Sequence, residues 1–187
     1  MKHRVKLQVL SSFEDLPGTL VVDEEDIVEH QVVSGVTYTR DEAKVTLQQV
    51  ADRPGVAALV FGALADANVN VDMIVQNVSE DGKATDLTFT VGRKQIDQAL
   101  SVLDTLKEKV DCKAIVPDSN VVKVSIVGMG MRSHAGVAKT MFAALAEKGI
   151  NIQVISTSEI KVSVLLAEEY TELAVRTLHT AFGLDAA

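Results

Sequence analysis

Set Gly55 against Gly136, an offset of 81 residues, and Val56 falls on Val137, Ala57 on Ala138 and Phe61 on Phe142. The same register matches Ala63-Leu64-Ala65 with Ala144-Leu145-Ala146, Asn70 with Asn151 and Ile74 with Ile155, so nine of the twenty positions from 55 to 74 are identical. Beyond a six-residue gap the offset becomes 75, pairing Thr88 with Ser163, Ala99 with Ala174 and Leu103 with Leu178. Self-similarity at one register means two copies of one supersecondary unit. They span about 44–116 and 121–183, so the fold must be a pair of small domains.

Each copy reads as strand, helix, strand, strand, helix. In the first, Val45 and Leu47 alternate with polar neighbours over Lys44 to Ala51, the mark of a half-buried strand. Asp52-Arg53-Pro54-Gly55 interrupts it, with Asp52 expected as helix N-cap and Pro54 in the first helical turn. Val56, Leu59, Val60, Ala63 and Leu64 then keep helical spacing, and Asn68 is the expected stop. Val71–Val78 and Ala84–Val91 read as strands around a hairpin signal at Glu80-Asp81-Gly82-Lys83. Ile96, Leu100, Leu103, Leu106 and Val110 give a second helix, and Cys112 to Val116 a closing strand.

The second copy repeats the order: Val121 to Val127, a turn through Gly128 to His134, a helix to about Lys148, strands near Ile152 and Lys161, and a helix to Phe182. The order βαββαβ predicts an α+β, ferredoxin-like fold, an antiparallel sheet with both helices on one face. The second copy lacks a closing strand, because only Gly183-Leu184-Asp185-Ala186-Ala187 follows Phe182. Gln31 to Thr39 has no unit of its own and is expected to supply that edge. Val5, Leu7 and Val9 form another strand before a Pro17-Gly18 turn, and residues 23–29 read as an exposed acidic linker.

Composition narrows the function. With 18 basic and 26 acidic residues the net charge is −8, which argues against nucleic acid or an anionic membrane as partner. A lone Cys112 excludes a disulfide framework and fits a cytoplasmic setting; it reads as a small buried hydrophobe in a strand. His3, His30, His134 and His179 show no metal-ligand spacing. Gly128-Met129-Gly130-Met131 lacks the βαβ context of a dinucleotide fingerprint, and Met129 and Met131 read as gap fillers. Ser156, Ser158 and Ser163 have no activating His, and Glu24-Glu25 and Glu168-Glu169 read as solvated. No catalytic residue and no metal site is expected in this chain.

Binding chemistry is present. The strand-to-helix loops offer free backbone N–H groups suited to a carboxylate. Beside them stand Asn70, Asp72, Gln76 and Ser79 in one copy, and Asn151, Ile152, Gln153, Ser156 and Ser158 in the other. Such donors and acceptors suit a free amino acid; the alternative is that they only cap turns and sheet edges.

The run Asp52-Arg53-Pro54-Gly55-Val56-Ala57, with Ala65 through Ser79, resembles the first ACT domain of bacterial aspartokinases. Ser133-His134-Ala135-Gly136-Val137, with Gly149 through Ile160, resembles the second. Residues 4–20, with Leu10-Ser11-Ser12-Phe13 and Pro17-Gly18-Thr19, resemble the last strand region of the catalytic domain. The resemblance implies a division into a catalytic-domain remnant and linker at 1–30, a donated strand at 31–43, a first ACT domain at 44–118 and a second at 119–187. It implies a regulatory subunit or domain that binds lysine or threonine where ACT units meet and feedback-inhibits aspartate phosphorylation. The expected partners are a second copy, through the ACT sheets, and a catalytic aspartokinase chain, which alone would hold ATP and magnesium. By motif, Asp52, Arg53, Gly55, Val56 and Ala57 form the effector loop and Gln76 bonds the ligand's polar end. Asn151 and Ile152 present groups from a second ACT unit, and Asp72 joins the set from its place beside the loop. Ala138 and Gly149 stand where some relatives carry polar residues, so threonine and lysine stay alternatives. The alternative reading is a free-standing amino-acid sensor with no kinase attached.

Overall fold

The computed structural model describes residues 7–21, 32–78, 84–129, 134 and 136–186. The expected linker at 23–29 and the hairpin signal at 80–83 lie outside these residues, as do Gly130, Met131 and the pair Glu24-Glu25. The chain divides into an N-terminal unit, residues 1–31, and a larger unit, residues 32–187.

In the N-terminal unit, β1 (Leu7–Val9) and β2 (Thr19–Val21) pair antiparallel, with Leu7 opposite Val21 and Val9 opposite Thr19. Gly18, at φ 68, turns where any side chain would strike the Val9 carbonyl oxygen. Gln8 Nε2 donates to the Pro17 carbonyl at 2.8 Å.

The larger unit holds two four-stranded antiparallel sheets. The first comprises β4 (Ala43–Ala51), β5 (Val71–Val78), β6 (Ala84–Val91) and β7 (Ala114–Asp118), in the order β5-β6-β4-β7. The helices α1 (Val56–Asp66) and α2 (Ile96–Leu106) belong to the same repeat. The second sheet comprises β3 (Gly35–Thr39), β8 (Val121–Val127), β9 (Val154–Thr157) and β10 (Lys161–Ala167), in the order β3-β8-β10-β9. Its helices are α3 (Gly136–Glu147) and α4 (Thr171–Ala181). Strand β3 lies antiparallel to β8, from Gly35 opposite Val127 to Thr39 opposite Lys123. It holds the place that β7 holds beside β4. Gly128 permits this entry, since a Cβ there would run into the Val32 carbonyl oxygen. A close chain crossing, and no nucleotide, accounts for that glycine.

Alternation along the central strands sends Val45, Leu47, Leu87 and Phe89 to one helix-covered core and Val124, Ile126, Val164 and Leu166 to the other. Each fully buried Leu or Phe of this kind stabilises the fold by roughly 1.5–3 kcal/mol. Phe61 meets Phe89 edge to face at 5.3 Å.

Several details differ from the sequence expectations. Helix α1 buries Val56, Val60 and Leu64 but leaves Leu59 40% exposed, because the stripe that fits the sheet is narrower than the apolar run. In α2, Ala99 faces the core where Leu100 was expected, and Val110 is buried in the turn beyond the helix. Cys112 is buried as expected but precedes β7; its thiol is engaged by the carbonyls of Gln48 and Ala114, and burial raises its pKa. Strand β9 begins at Val154, two residues after Ile152, which packs against the second core. Glu168 is half-buried and pairs with Arg93 at 3.0 Å, while Glu169 is exposed.

The opposite sheet faces meet each other. Met73, Val121, Val154 and Leu165 form a third cluster, with Val75 against it. Around it, Lys123 Nζ bonds Glu42 and, at 2.8 Å, Asp72; Lys44 bonds Gln153 and pairs with Asp118 at 3.4 Å. Arg93 also donates to the Val121 carbonyl. Thus each sheet has one face on its helices and much of the other on its repeat partner.

Candidate functional site

The break at Asp52-Arg53-Pro54-Gly55 opens a cavity of about 330 Å³ between the end of β4, the start of α1, β5 and β6. That is the lower end of the size range for small-molecule sites. Asp52, Arg53, Gly55, Val56, Ala57 and Gln76 all line it, so six of the nine candidate residues come together. Val50, Thr85 and Leu87 line it too and were absent from the sequence set.

The helix start differs from expectation. Gly55, and not Asp52, is the N-cap, at φ 95, and no side chain caps the helix. Only glycine adopts that conformation without strain, so the Pro54-Gly55 turn itself aims the helix. The Arg53 carbonyl takes the Val56 N–H at 3.4 Å and the Gly55 carbonyl takes the Leu59 N–H at 2.9 Å. Among the described residues the N–H groups of Gly55 and Ala57 have no protein acceptor. Asp52 likewise makes no side-chain bond to a described residue, so its carboxylate remains available at the cavity mouth.

Arg53 is differently placed. Its Nη2 donates to the Lys109 carbonyl at 2.9 Å, while the Ala51 N–H donates to the Val110 carbonyl at 3.2 Å. Both carbonyls belong to the turn that ends α2, where a cation is favoured by the helix dipole. The arginine therefore ties the loop down from behind.

Two β-bulges set the cavity wall. In β5, Asp72 stands opposite Thr90 and Val75 opposite Thr88, so Met73 and Ile74 together face Phe89 alone. The extra residue shifts the alternation, and Gln76 lands opposite Leu87 on the helix side. A regular strand would have turned Gln76 to the other face. In β4, Gln48 and Gln49 stand against Asp86, and Val50 is brought back to the core beside the cavity. Gln49 at φ 51 and Met73 at φ 46 carry the left-handed backbone that such bulges need.

The remaining three candidates lie elsewhere. Asp72 does not line the cavity; its carboxylate bonds Lys123 Nζ at 2.8 Å and the Met73 N–H at 2.8 Å. Burial raises its pKa, but those bonds and the charges of Lys123 and Lys161 outweigh it and hold the carboxyl below its ordinary range. Asn151 is exposed before β9, and Ile152 is half-buried on the second core. Neither lines the cavity within one chain.

Among the described residues lining the cavity none is a nucleophile with a base beside it. Ser163, on β10, is buried against Ser125 at 2.7 Å. Among the described residues no three His, Cys, Asp or Glu side chains gather as a metal site, and no helix is long and apolar enough to cross a membrane. Open N–H groups, one carboxylate and one amide around a small cavity can hold a zwitterion: its carboxylate at the helix start, its ammonium near Asp52.

ACT domain models match residues 45–108 and 124–182. Aspartate kinase from Pseudomonas putida is 55% identical over 186 residues, 99% of this chain and 45% of that protein. The chain thus spans just under half the length of the curated relatives it matches. The crystal structure of the regulatory subunit of aspartate kinase from Thermus thermophilus superposes with a TM-score of 0.78 at 38% identity, covering 81% of this chain and 99% of that one. Aspartate kinase from Synechocystis superposes with a TM-score of 0.80 at 34% identity, covering 97% of this chain and 33% of that one.

Proposed function

The chain belongs to the regulatory, paired-ACT family of aspartokinases, and from that premise we propose that it binds threonine or lysine and thereby feedback-inhibits aspartate phosphorylation. The observation that carries this reading is the cavity itself, where Gln76, Asp52 and the open N–H groups of Gly55 and Ala57 surround a space of amino-acid size. The catalytic portion of an aspartokinase, with its ATP and magnesium, is the partner on which the effect is exerted.

A second copy completes the site in this reading. Ile74 and Ile155 hold the same repeat position and lie exposed on β5 and β9, both edge strands. Unpaired edges carrying apolar side chains favour strand pairing between copies. Asn151 and Ile152 of a second ACT unit then close the cavity mouth. A ligand held in such a seam stabilises the association by mass action. It inhibits a distant kinase only as far as the inactive arrangement binds it better, typically by ~1–3 kcal/mol.

Calorimetric titration of the chain with L-threonine and with L-lysine tests the proposal. One of the two is expected to bind, with Gln76→Ala weakening it about 10-fold or more, the value of a hydrogen bond to a charged group. The melting temperature of that variant should not move, because Gln76 is exposed and its side chain bonds no described residue. Absence of heat with both amino acids overturns the reading. Binding with no affinity for a catalytic chain would instead identify a free-standing sensor.

A further inference from the structure

We infer that Asp72 and Lys123 are positioning residues for the effector cavity. Bonded to each other across the two ACT units, they hold the β5 bulge that turns Gln76 toward the ligand. The role rests on the proposed amino-acid site and makes its affinity depend on the second unit's grip on the first.

The order of side chains along β5 carries this. Val71 packs on the first core, Asp72 and Met73 both meet the second unit, and Gln76 returns to the cavity. Val71 and Gln76 stand five positions apart, an odd interval that a regular strand would put on opposite faces. Two consecutive residues on one face supply the missing step. Met73 takes it at φ 46, a left-handed backbone that a non-glycine residue keeps only where its surroundings fix it.

The second unit does the fixing. Asp72 Oδ1 accepts the Met73 N–H at 2.8 Å, and Oδ2 accepts Lys123 Nζ at 2.8 Å. One carboxylate thereby joins the bulge to β8. The Met73 side chain is buried among Val121, Val154 and Leu165, all of the second unit. Lys123 also bonds Glu42, the residue before β4, and β4 runs on toward the cavity residues Val50, Ala51 and Asp52. Two of the strands that wall the cavity are thus tied to one lysine. Neither Asp72 nor Lys123 lines the cavity, so their effect on a ligand passes through this backbone. By linkage, a ligand that uses Gln76 tightens the clasp in return.

Calorimetric titration of the full chain and its variants with L-threonine and L-lysine tests this. Asp72→Ala should weaken binding about 5-fold or more, within the coupling carried by residues that touch no ligand. The fold should survive the change, because the Asp72 side chain is 56% exposed. Asp72→Asn keeps an acceptor for the Met73 N–H and should recover part of the loss. Lys123→Met, titrated well below its melting temperature, should lose affinity in the same sense as Asp72→Ala. A double variant separates positioning from mere stability. Once Gln76 is gone its orientation no longer matters, so Asp72→Ala/Gln76→Ala should bind within about 2-fold of Gln76→Ala alone. Hydrogen exchange gives a readout that needs no ligand. The amides of residues 72–77 should exchange about tenfold or more faster in Asp72→Ala, with those of β10 unchanged. Wild-type affinity in Asp72→Ala, an equal fold-loss in the Gln76→Ala background, or unchanged exchange along β5 overturns the inference. Absence of heat in the wild type overturns the amino-acid reading instead, and exchange then decides whether the clasp holds the bulge.

Discussion

Arg53 and Gln76 line one cavity but do different work. Gln76 has its amide unengaged by any described residue, whereas Arg53 spends its guanidinium on the Lys109 carbonyl. If the effector loop depends on that tether, Arg53→Ala should weaken threonine or lysine binding by about 3- to 10-fold, one net hydrogen bond of ~1 kcal/mol. Arg53→Lys, which keeps the cation at the end of α2, should recover part of it. Titration calorimetry checks both, and unchanged affinity in Arg53→Ala would show that the loop stands without the tether. The sequence made the loop legible, because Asp52-Arg53-Pro54-Gly55 breaks the strand pattern, although Pro54 stands in the turn before α1 and not in its first helical turn. It did not separate the roles within it. Asp52 has the composition of a cap, yet the φ of 95 at Gly55 turns the chain so that capping passes to the backbone. Likewise Asp72 is spaced like a ligand residue, and only tertiary packing reveals Lys123 beside it.

At the scale of elements, order and type were readable, because the 2-residue and 3.6-residue periods are strong in both copies. The bulges were not read, although β4 carried a sign of one: Gln48-Gln49 puts two polar residues between Leu47 and Val50, which no regular strand with one buried face would do. Strand β5 gave no such sign, since Met73 and Ile74 are both apolar and the phase shift is hidden. Gln49 holds a left-handed backbone, its side chain is exposed, and its N–H is fixed by Asp86 at 2.8 Å. Gln49→Gly should therefore stabilise the chain by about 0.5–1 kcal/mol, the relief of left-handed strain less the added freedom of unfolded glycine. In a denaturant titration the midpoint should rise at constant slope. A fall would mean that the glutamine side chain supports the bulge in a way its exposure does not suggest. Met73→Gly, by contrast, should destabilise the chain, because Met73 fills the cluster between the sheets.

For the larger unit as a whole, the polar clasp between the two ACT sheets decides how stability responds to pH. Lys123 is only 15% exposed and faces Glu42, 8% exposed, and the more open Asp72. Burial lowers the Lys123 pKa, but the bonds to Asp72 and Glu42 outweigh it and carry it above the ordinary lysine value. A raised lysine pKa contributes stability that is whole below about pH 10.4 and is lost as pH climbs through the folded value. For Asp72 the sign is opposite: its folded pKa is depressed, so its contribution is whole above about pH 4 and fades as pH falls further. Between those limits the clasp should be insensitive to pH. Lys123→Met removes the cation and leaves the Glu42 carboxylate buried without its partner, which for a well-buried pair costs about 3–5 kcal/mol. Partial exposure of Lys123 and Asp72 brings the expected loss to the lower end or below. Urea midpoints for both proteins check this: the wild-type midpoint should be flat from pH 4 to pH 9, and the variant's should be lower at pH 7. Equal midpoints at pH 7 would mean that Lys123 adds nothing, and that the two ACT units are held by the Met73–Val121–Val154–Leu165 cluster and the Lys44–Gln153 and Arg93–Glu168 contacts.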